Sequence, residues 1–490
     1  MKSTKIILSA TLAGFSAATA FADTALSVPV VIPAPVSFKM VEGCYVSSAT
    51  NVTKDLFTAS SDLSLPKEGY RISISEKGGI SVSCSDNAGA FYALQTLRQL
   101  SVPANGRLVF PCCEIKDFPR FGWRGVQLDD SRHFFGKAAV KRIIDQMSAH
   151  KLNVFHWHLT DNGGWRLPVP KYPKLTTVAA TRRFSKDHKV VADRFEDGVY
   201  GPFSYTRDEI AEVIAYAKER FVRVVPEVDM PGHSIALIRA YPEFGCVGSR
   251  GGAELCVGDD HVLDMVKDVL DEVVELFPDE VVHIGGDEVI MDNWKSCPKC
   301  QARMKEHCLK TEKDLLAWFV GEVAAHLKRR GRRAVWWSEI PLDGNVPGDG
   351  IVMAWRDAQE GRDAVAAGHE AIMCPHKSCY FDYTPCLRDD FAPYPWFTHP
   401  LPLEKAYAYD PVDGIPAERQ RLVLGGQCCN WTEYTCNETE LQWKMWPRTC
   451  ATAEVFWSTA EKRDFADFRR RMETHRHRLI ESGVNCAPLE

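Results

Sequence analysis

The sequence predicts an α/β chain, a (β/α)8 barrel preceded by a small α+β domain. Two observations carry this. First, eight short apolar runs recur after Phe121, at 122–129, 153–160, 223–229, 281–288, 334–340, 351–356, 370–376 and 421–431. Second, amphipathic helices separate several of them. Val140, Ile143, Ile144 and Met147 share one helical face, as do Ile210, Val213, Ile214 and Ala217. Val262, Val266, Val269, Leu270 and Val273 form a third. An open doubly wound sheet is the competing fold, but neither G-x-G-x-x-G nor G-x-x-x-x-G-K-[ST] follows the first run.

Taken in order, residues 1–22 read as a signal peptide. Lys2 and Lys5 precede an apolar stretch from Ile6 to about Ala18, and Ala20-Phe21-Ala22 offers a cleavage site before Asp23. The mature chain is therefore expected to be exported, to the periplasm or outside the cell. Residues 23–118 should form the α+β domain. Arg71–Ser75 and Ile80–Ser83 alternate apolar and polar around Lys77-Gly-Gly79, a hairpin signal. Asp86 should open a helix burying Phe91, Leu94, Leu97 and Leu100. Residues 119–490 are assigned to the barrel.

Composition narrows the function. The 490 residues carry 59 Lys+Arg against 65 Asp+Glu, a net charge of −6, with 45% hydrophobic residues. That is enough apolar surface to fold, and it lacks the positive field a nucleic-acid partner needs. No later apolar run is long enough for stable membrane insertion. Seventeen Cys in an exported chain suggest disulfides, and the odd number leaves at least one unpaired. Cys297-Pro-Lys-Cys300 reads as a tight disulfide, half a zinc site or a redox pair. A structural role is favoured, since no second C-x-x-C is present. Cys246 and Cys256 read as a staple across a Gly-rich loop.

In a barrel of this kind the active site forms at the C-terminal strand ends. Polar and aromatic residues collect there: Asp129-Asp130-Ser131-Arg132, His156-Trp157-His158-Leu-Thr-Asp161, Glu227-Val-Asp229-Met-Pro-Gly-His233, His283-Ile-Gly-Gly-Asp287-Glu288, Trp336-Trp337-Ser-Glu339, Trp355, Tyr380-Phe-Asp382 and Trp431-Thr-Glu433. Carboxylates and Arg suit vicinal hydroxyls, and Trp faces suit the C–H surface of a pyranose. Asp287-Glu288 places two acids side by side, and burial together with mutual repulsion should keep one protonated near neutral pH.

Six of these segments, Trp123–His133, His156–Asp161, Pro226–His233, His283–Glu288, Tyr380–Asp382 and Trp431–Glu433, resemble those of glycoside hydrolase family 20 β-N-acetylhexosaminidases. The likeness runs from about residue 119 to the end of the barrel, and H-x-G-G-D-E is its most diagnostic element. One departure is Asp161-Asn162-Gly163-Gly164-Trp165-Arg166, where the family commonly reads D-D-Q-G-W-R. The resemblance implies exo-acting removal of a terminal N-acetylhexosamine from an oligosaccharide or glycoconjugate. The substrate's acetamido group would serve as nucleophile. It implies Glu288 as general acid/base, Asp287 orienting the acetamide, and Tyr380 donating to its oxygen. Trp337, Trp355 and Trp431 would wall the pocket, Arg132 and Glu433 would hold ring hydroxyls with Asp382 in support, and Asp161 and His233 would set the charge of the acid pair.

No cofactor or metal is expected for this chemistry. A metal-dependent amidohydrolase is the rival enzyme, on His156-x-His158, and a glycan-binding protein without turnover is the rival without catalysis. Asp129, Asp130, Glu227 and Asp229 are read as acids holding loops, with Glu339 unassigned. Asn51, Asn430 and Asn437 match the N-glycosylation pattern, and Asn430 is expected to stay unmodified because it adjoins the pocket. The sequence does not set the C4 configuration of the sugar or an oligomeric state.

Overall fold

The computed structural model describes residues 30–183, 199–246, 253–342, 346–386 and 399–489. The leader expected at 1–22 lies outside them. The chain divides into two compact units. Of the described residues, one takes those up to Arg120 together with Trp457–Arg463; the other takes those from Phe121 to Phe456 and from Asp464 onward.

Among its described residues the first unit is a mixed sheet with one α-helix. Its strand order is Ser37–Ser47, Arg107–Asp117, Tyr70–Ser75, Gly79–Cys84, Thr58–Ser61. The expected hairpin is present, with Ser75 opposite Gly79. Asp86 caps the helix Asn87–Leu100 by accepting from the Gly89 N–H. The buried face differs from the expected one: Tyr92, Ala93, Thr96, Leu97 and Leu100 are buried, while Phe91 and Leu94 are half-buried. A spacing of three slips about 60° back around the helix at each step, so it cannot hold one face for nine residues. Trp457, placed with the barrel by sequence, belongs to this unit. It meets Tyr92 edge-on at 5.2 Å and donates from its indole N–H to Asp117 Oδ1 at 2.9 Å.

The second unit is a closed barrel of eight parallel strands in sequence order. They are Trp123–Asp129, Val154–His158, Arg223–Glu227, Val281–His283, Arg333–Trp337, Ile351–Ala354, Glu370–Met373 and Val423–Cys428. Each falls in an expected run, the fifth starting one residue before it, and the eighth pairs with the first to close the ring. The helices Gly136–Ala149, Arg207–Lys218 and Asp260–Leu276 bury the predicted faces, except that Ile214 is only half-buried. Register does the rest. Asp129 pairs with His158, His158 with Glu227, and Glu227 with His283. Four polar residues from four strands thus sit in one layer at the mouth of the barrel.

Candidate active site

The fourth strand stops at His283 and the chain turns sharply. Gly285 and Gly286 have φ of +70° and +98°, and Glu288 has +47°. A Cβ at Gly285 would collide with Asp229 Oδ1, so only glycine lets the turn press against the third strand's end. Asp229 Oδ1 accepts from the Gly286 N–H at 3.2 Å, and Glu339 Oε2 accepts from the Glu288 N–H at 2.9 Å. Two carboxylates from neighbouring strands therefore hold the turn that presents Asp287 and Glu288.

Beneath it, Glu227 is fully buried and holds four partners. Oε2 lies 2.5 Å from His158 Nδ1 and 3.1 Å from His156 Nε2. Oε1 lies 3.0 Å from His283 Nδ1 and accepts from the Trp337 indole N–H at 2.8 Å. Burial opposes its charge, yet the three imidazoles hold its carboxyl well below the usual range. His158 shows the reverse balance. Burial works against its proton, but Glu227 and Asp161, the latter 3.0 Å from Nε2, keep the ring protonated.

Asp161 joins this base to the cleft. It lies 2.7 Å from Arg132 Nη2 and 3.3 Å from His233 Nδ1, and these cations hold its acid down against burial. His233, at φ +46°, turns Nε2 toward both acids, 3.5 Å from Asp287 Oδ2 and 3.5 Å from Glu288 Oε2. Burial would strip its proton, but Asp161, Asp287 and Asp229 raise its pKa well above the ordinary value. Arg132 is aimed by Asp129, which accepts from its backbone N–H at 3.0 Å and from Nη1 at 3.1 Å. Its guanidinium also faces Glu433 Oε1 at 3.4 Å and lies over the Trp431 ring at 5.1 Å.

One cleft collects these groups, lined by Arg132, His233, Asp287, Glu288, Trp355, Tyr380, Asp382, Trp431 and Glu433. Trp355 and Tyr380 lie nearly parallel, 6.0 Å apart, and Trp431 is 6.1 Å from Tyr380. The Tyr380 segment is fixed by a parallel bridge to Cys429, beside the end of the eighth strand. An aromatic wall facing an acid pair, with an Arg and a Glu to one side, can seat a polyhydroxylated ring and exchange a proton with it.

Residues 121–460 match the profile described as glycosyl hydrolase family 20, catalytic domain, and residues 37–118 match that of family 20 domain 2. The chain belongs to glycosyl hydrolase family 20. It is 37% identical over 448 residues to a beta-hexosaminidase of Porphyromonas gingivalis, covering 86% of this chain and 55% of that protein. A beta-hexosaminidase of Akkermansia muciniphila is 34% identical, covering 85% of this chain and 84% of the relative. Among solved structures, a family 20 exo-beta-N-acetylglucosaminidase from Vibrio harveyi, bound to N-acetylglucosamine, superposes with a TM-score of 0.86 at 27% identity. That match covers 94% of this chain and 78% of the other.

Most predicted residues meet at the cleft, and two readings change. Trp337 is fully buried, under Trp431 at 5.9 Å, with its N–H on Glu227; it supports the floor and does not wall the cleft. Trp336 faces the other way, as alternation requires; there it blocks any Cβ at Gly350. Glu288 is not held protonated by its neighbour. Its side chain is 60% exposed, and the His233 contact keeps its pKa below the ordinary value. The buried acid nearby whose pKa is raised is Asp229, by burial and by the Asp287 charge. His156 and His158, the rival metal pair, lie on the second strand and are engaged by Gln427, Glu227 and Asp161.

Glu227 and Glu339 carry more of the site than their reading as loop-holding or unassigned acids, and Asn162, noted only as a departure, takes a part in it. The Asn162 Oδ1 accepts from the Ile235 N–H at 3.2 Å, and its Nδ2 lies 3.2 Å from His233 Nδ1, so this departure from the family pattern touches the His that serves both acids. The expected staple between Cys246 and Cys256 is not formed. Cys246 and Cys256 instead meet Cys297 and Cys300 across the two loops. Asn430 is buried, with Nδ2 donating to Gln127 O at 2.7 Å, which leaves that nitrogen no room for a glycan.

Proposed function

We propose that this chain is an exo-acting β-N-acetylhexosaminidase that releases terminal β-linked GlcNAc or GalNAc by retaining, substrate-assisted catalysis. The observation that carries the reading is the pairing of Asp287 and Glu288 on one His233 nitrogen, at 3.5 Å each, inside an aromatic cleft. The names of the relatives and the sugar in the Vibrio harveyi structure support the substrate class.

In this reading Arg132 and Glu433 bind ring hydroxyls, with Asp382 behind them, and Trp431 takes the apolar face of the sugar. Asp287 Oδ1 accepts no hydrogen bond from any described residue, so it can receive the acetamide N–H of the substrate. Tyr380 stays neutral, because burial and the nearby Cys429 push its pKa well up, and it can donate to the acetamide oxygen. That oxygen attacks C1 as the bond from C1 to the leaving oxygen breaks, and Glu288 gives its proton to the leaving group. Asp287 stabilises the positive charge that spreads onto the oxazolinium nitrogen. Water then attacks C1, Glu288 takes its proton, the ring opens and the acetamide is restored. Tethering the nucleophile to the substrate can supply about 7–11 kcal/mol of the barrier.

Glu288 must hold a proton for the first step. In the free protein His233 holds its pKa down, so the bound sugar has to raise it. Covering a half-exposed carboxyl with substrate removes its water and moves its pKa in that direction.

The test compares nitrophenyl β-N-acetylglucosaminide with the plain β-glucoside. Hydrolysis of the acetamido sugar alone is expected; equal cleavage of both would remove substrate assistance. Binding of the acetamido sugar without hydrolysis would favour a glycan-binding protein. We also infer that the chain is exported, on the strength of its leader. A mature N-terminus at Asp23 is expected, and an intact Met1 in the periplasmic or secreted fraction would overturn the processing.

A further inference from the structure

We propose that Cys246, Cys256, Cys297 and Cys300 bind one structural zinc ion, which clamps the loop after the third barrel strand to the loop after the fourth. All four sulfurs lie within 4.8 Å of one another and all four residues are buried. Cys256 Sγ is 3.6 Å from Cys297 Sγ and 3.8 Å from Cys300 Sγ, and Cys246 Sγ is 3.8 Å from Cys300 Sγ. A disulfide needs about 2.05 Å. Four thiolates about 2.3 Å from a tetrahedral zinc stand about 3.8 Å apart, and the observed spacings match that edge.

The surrounding backbone is built for this cluster. Cys297 precedes the helix Pro298–Glu306 and Cys300 lies in its first turn, so one C-x-x-C supplies two ligands on one side. The other two are separated by nine residues, and an antiparallel bridge between Gly245 and Leu255 brings them side by side. Gly258 packs so tightly on Lys299 and Cys300 that a Cβ there would collide with their backbone. Lys299 pairs with Asp259, and the buried Trp294 donates its indole N–H to Leu255 O at 2.9 Å. Binding replaces four S–H bonds by four Zn–S bonds and releases four protons to solvent.

The clamp faces the catalytic loops from behind. The Leu255 N–H donates to Pro231 O at 2.8 Å and the Ser234 N–H to Ala253 O at 2.6 Å, so the Cys256 segment holds the turn that carries His233. Cys297 lies nine residues beyond Glu288. Zinc here would fix His233 relative to the acid pair without touching substrate.

Elemental analysis and native mass spectrometry of the full chain, purified with zinc in the medium, test this. One zinc per chain is expected, retained through EDTA dialysis and released when a mercurial titrates the thiols. Replacing it with cobalt should give the visible absorption of a tetrahedral thiolate site, a readout that needs no variant. Cys297→Ser with Cys300→Ser should lose the metal and lower Tm, whereas Cys308→Ser, at an exposed thiol outside the cluster, should keep it. Absence of zinc, or Cys246–Cys300 and Cys256–Cys297 disulfides in a non-reduced digest, would overturn the proposal. Hydrolysis of the acetamido sugar is scored separately, so either reading can fail alone.

Discussion

The backbone N–H of Glu288 donates to Glu339 Oε2 at 2.9 Å, and Arg356 Nη2 holds that same oxygen at 2.7 Å. Glu288 sits at φ +47°, a conformation a non-glycine residue keeps only when its surroundings hold it there. Glu339 thus acts as a positioning residue for the acid/base. Glu339→Ala should lower kcat about 10–100-fold with a smaller change in KM, because misplacement of a catalytic group by about 1 Å costs on that order. Glu339→Gln keeps an accepting oxygen and should recover much of the loss. Steady-state kinetics on the nitrophenyl substrate check this, and an unaltered kcat in Glu339→Ala would remove the brace from the mechanism.

Glu288→Gln should cost more for poor leaving groups than for good ones. General acid catalysis contributes about 10²–10⁴-fold, and that help matters when the departing oxygen is basic. A chitobiose linkage should therefore lose its turnover almost entirely, while a dinitrophenyl sugar should retain much of the first step. Measuring kcat/KM across a leaving-group series decides it. A loss independent of leaving-group pKa would mean that Glu288 is not the acid.

The barrel was legible because parallel strands covered on both faces read as short apolar runs, and all eight did. Asp287 and Glu288 were legible because they stand together at a glycine turn. Depth was not. Alternation gives the side of the strand on which Trp337 lies, but only the closed ring shows that Trp431 covers it. Glu227 reads as one more acid at a strand end; its role depends on register that brings His156, His158, His283 and Trp337 to it from three other strands. The cysteine cluster was hidden for a similar reason, since its halves lie 41 to 54 residues apart in the chain and meet only when two barrel loops pack.

His233→Gln should move the pH profile upward. In the free protein the His233 contact comes first among the causes that lower the Glu288 pKa. If the productive form carries Glu288 protonated, activity falls as pH rises through that value. Removing the imidazolium lets the carboxyl return toward its ordinary range, so the basic limb of kcat/KM should shift to higher pH even as kcat drops. A purely structural role for His233 would reduce activity and leave the limb in place.

Asp382 carries the clearest pH signature in stability. Burial, and after it the nearby Glu433 charge, push its pKa up to about 8 from 3.8. A carboxyl raised on folding binds a proton in the native state that the unfolded chain has already lost. Its contribution is therefore fully present below about pH 4 and declines as pH rises through 8. Asp382→Asn makes the side chain permanently neutral at nearly the same size. The variant should match the wild type in Tm near pH 4 and exceed it at pH 8 to 9, with the gap opening across that interval. Scanning calorimetry at several pH values follows it directly. A gap that is constant with pH, or one that closes as pH rises, would mean that the native protein holds Asp382 ionised throughout.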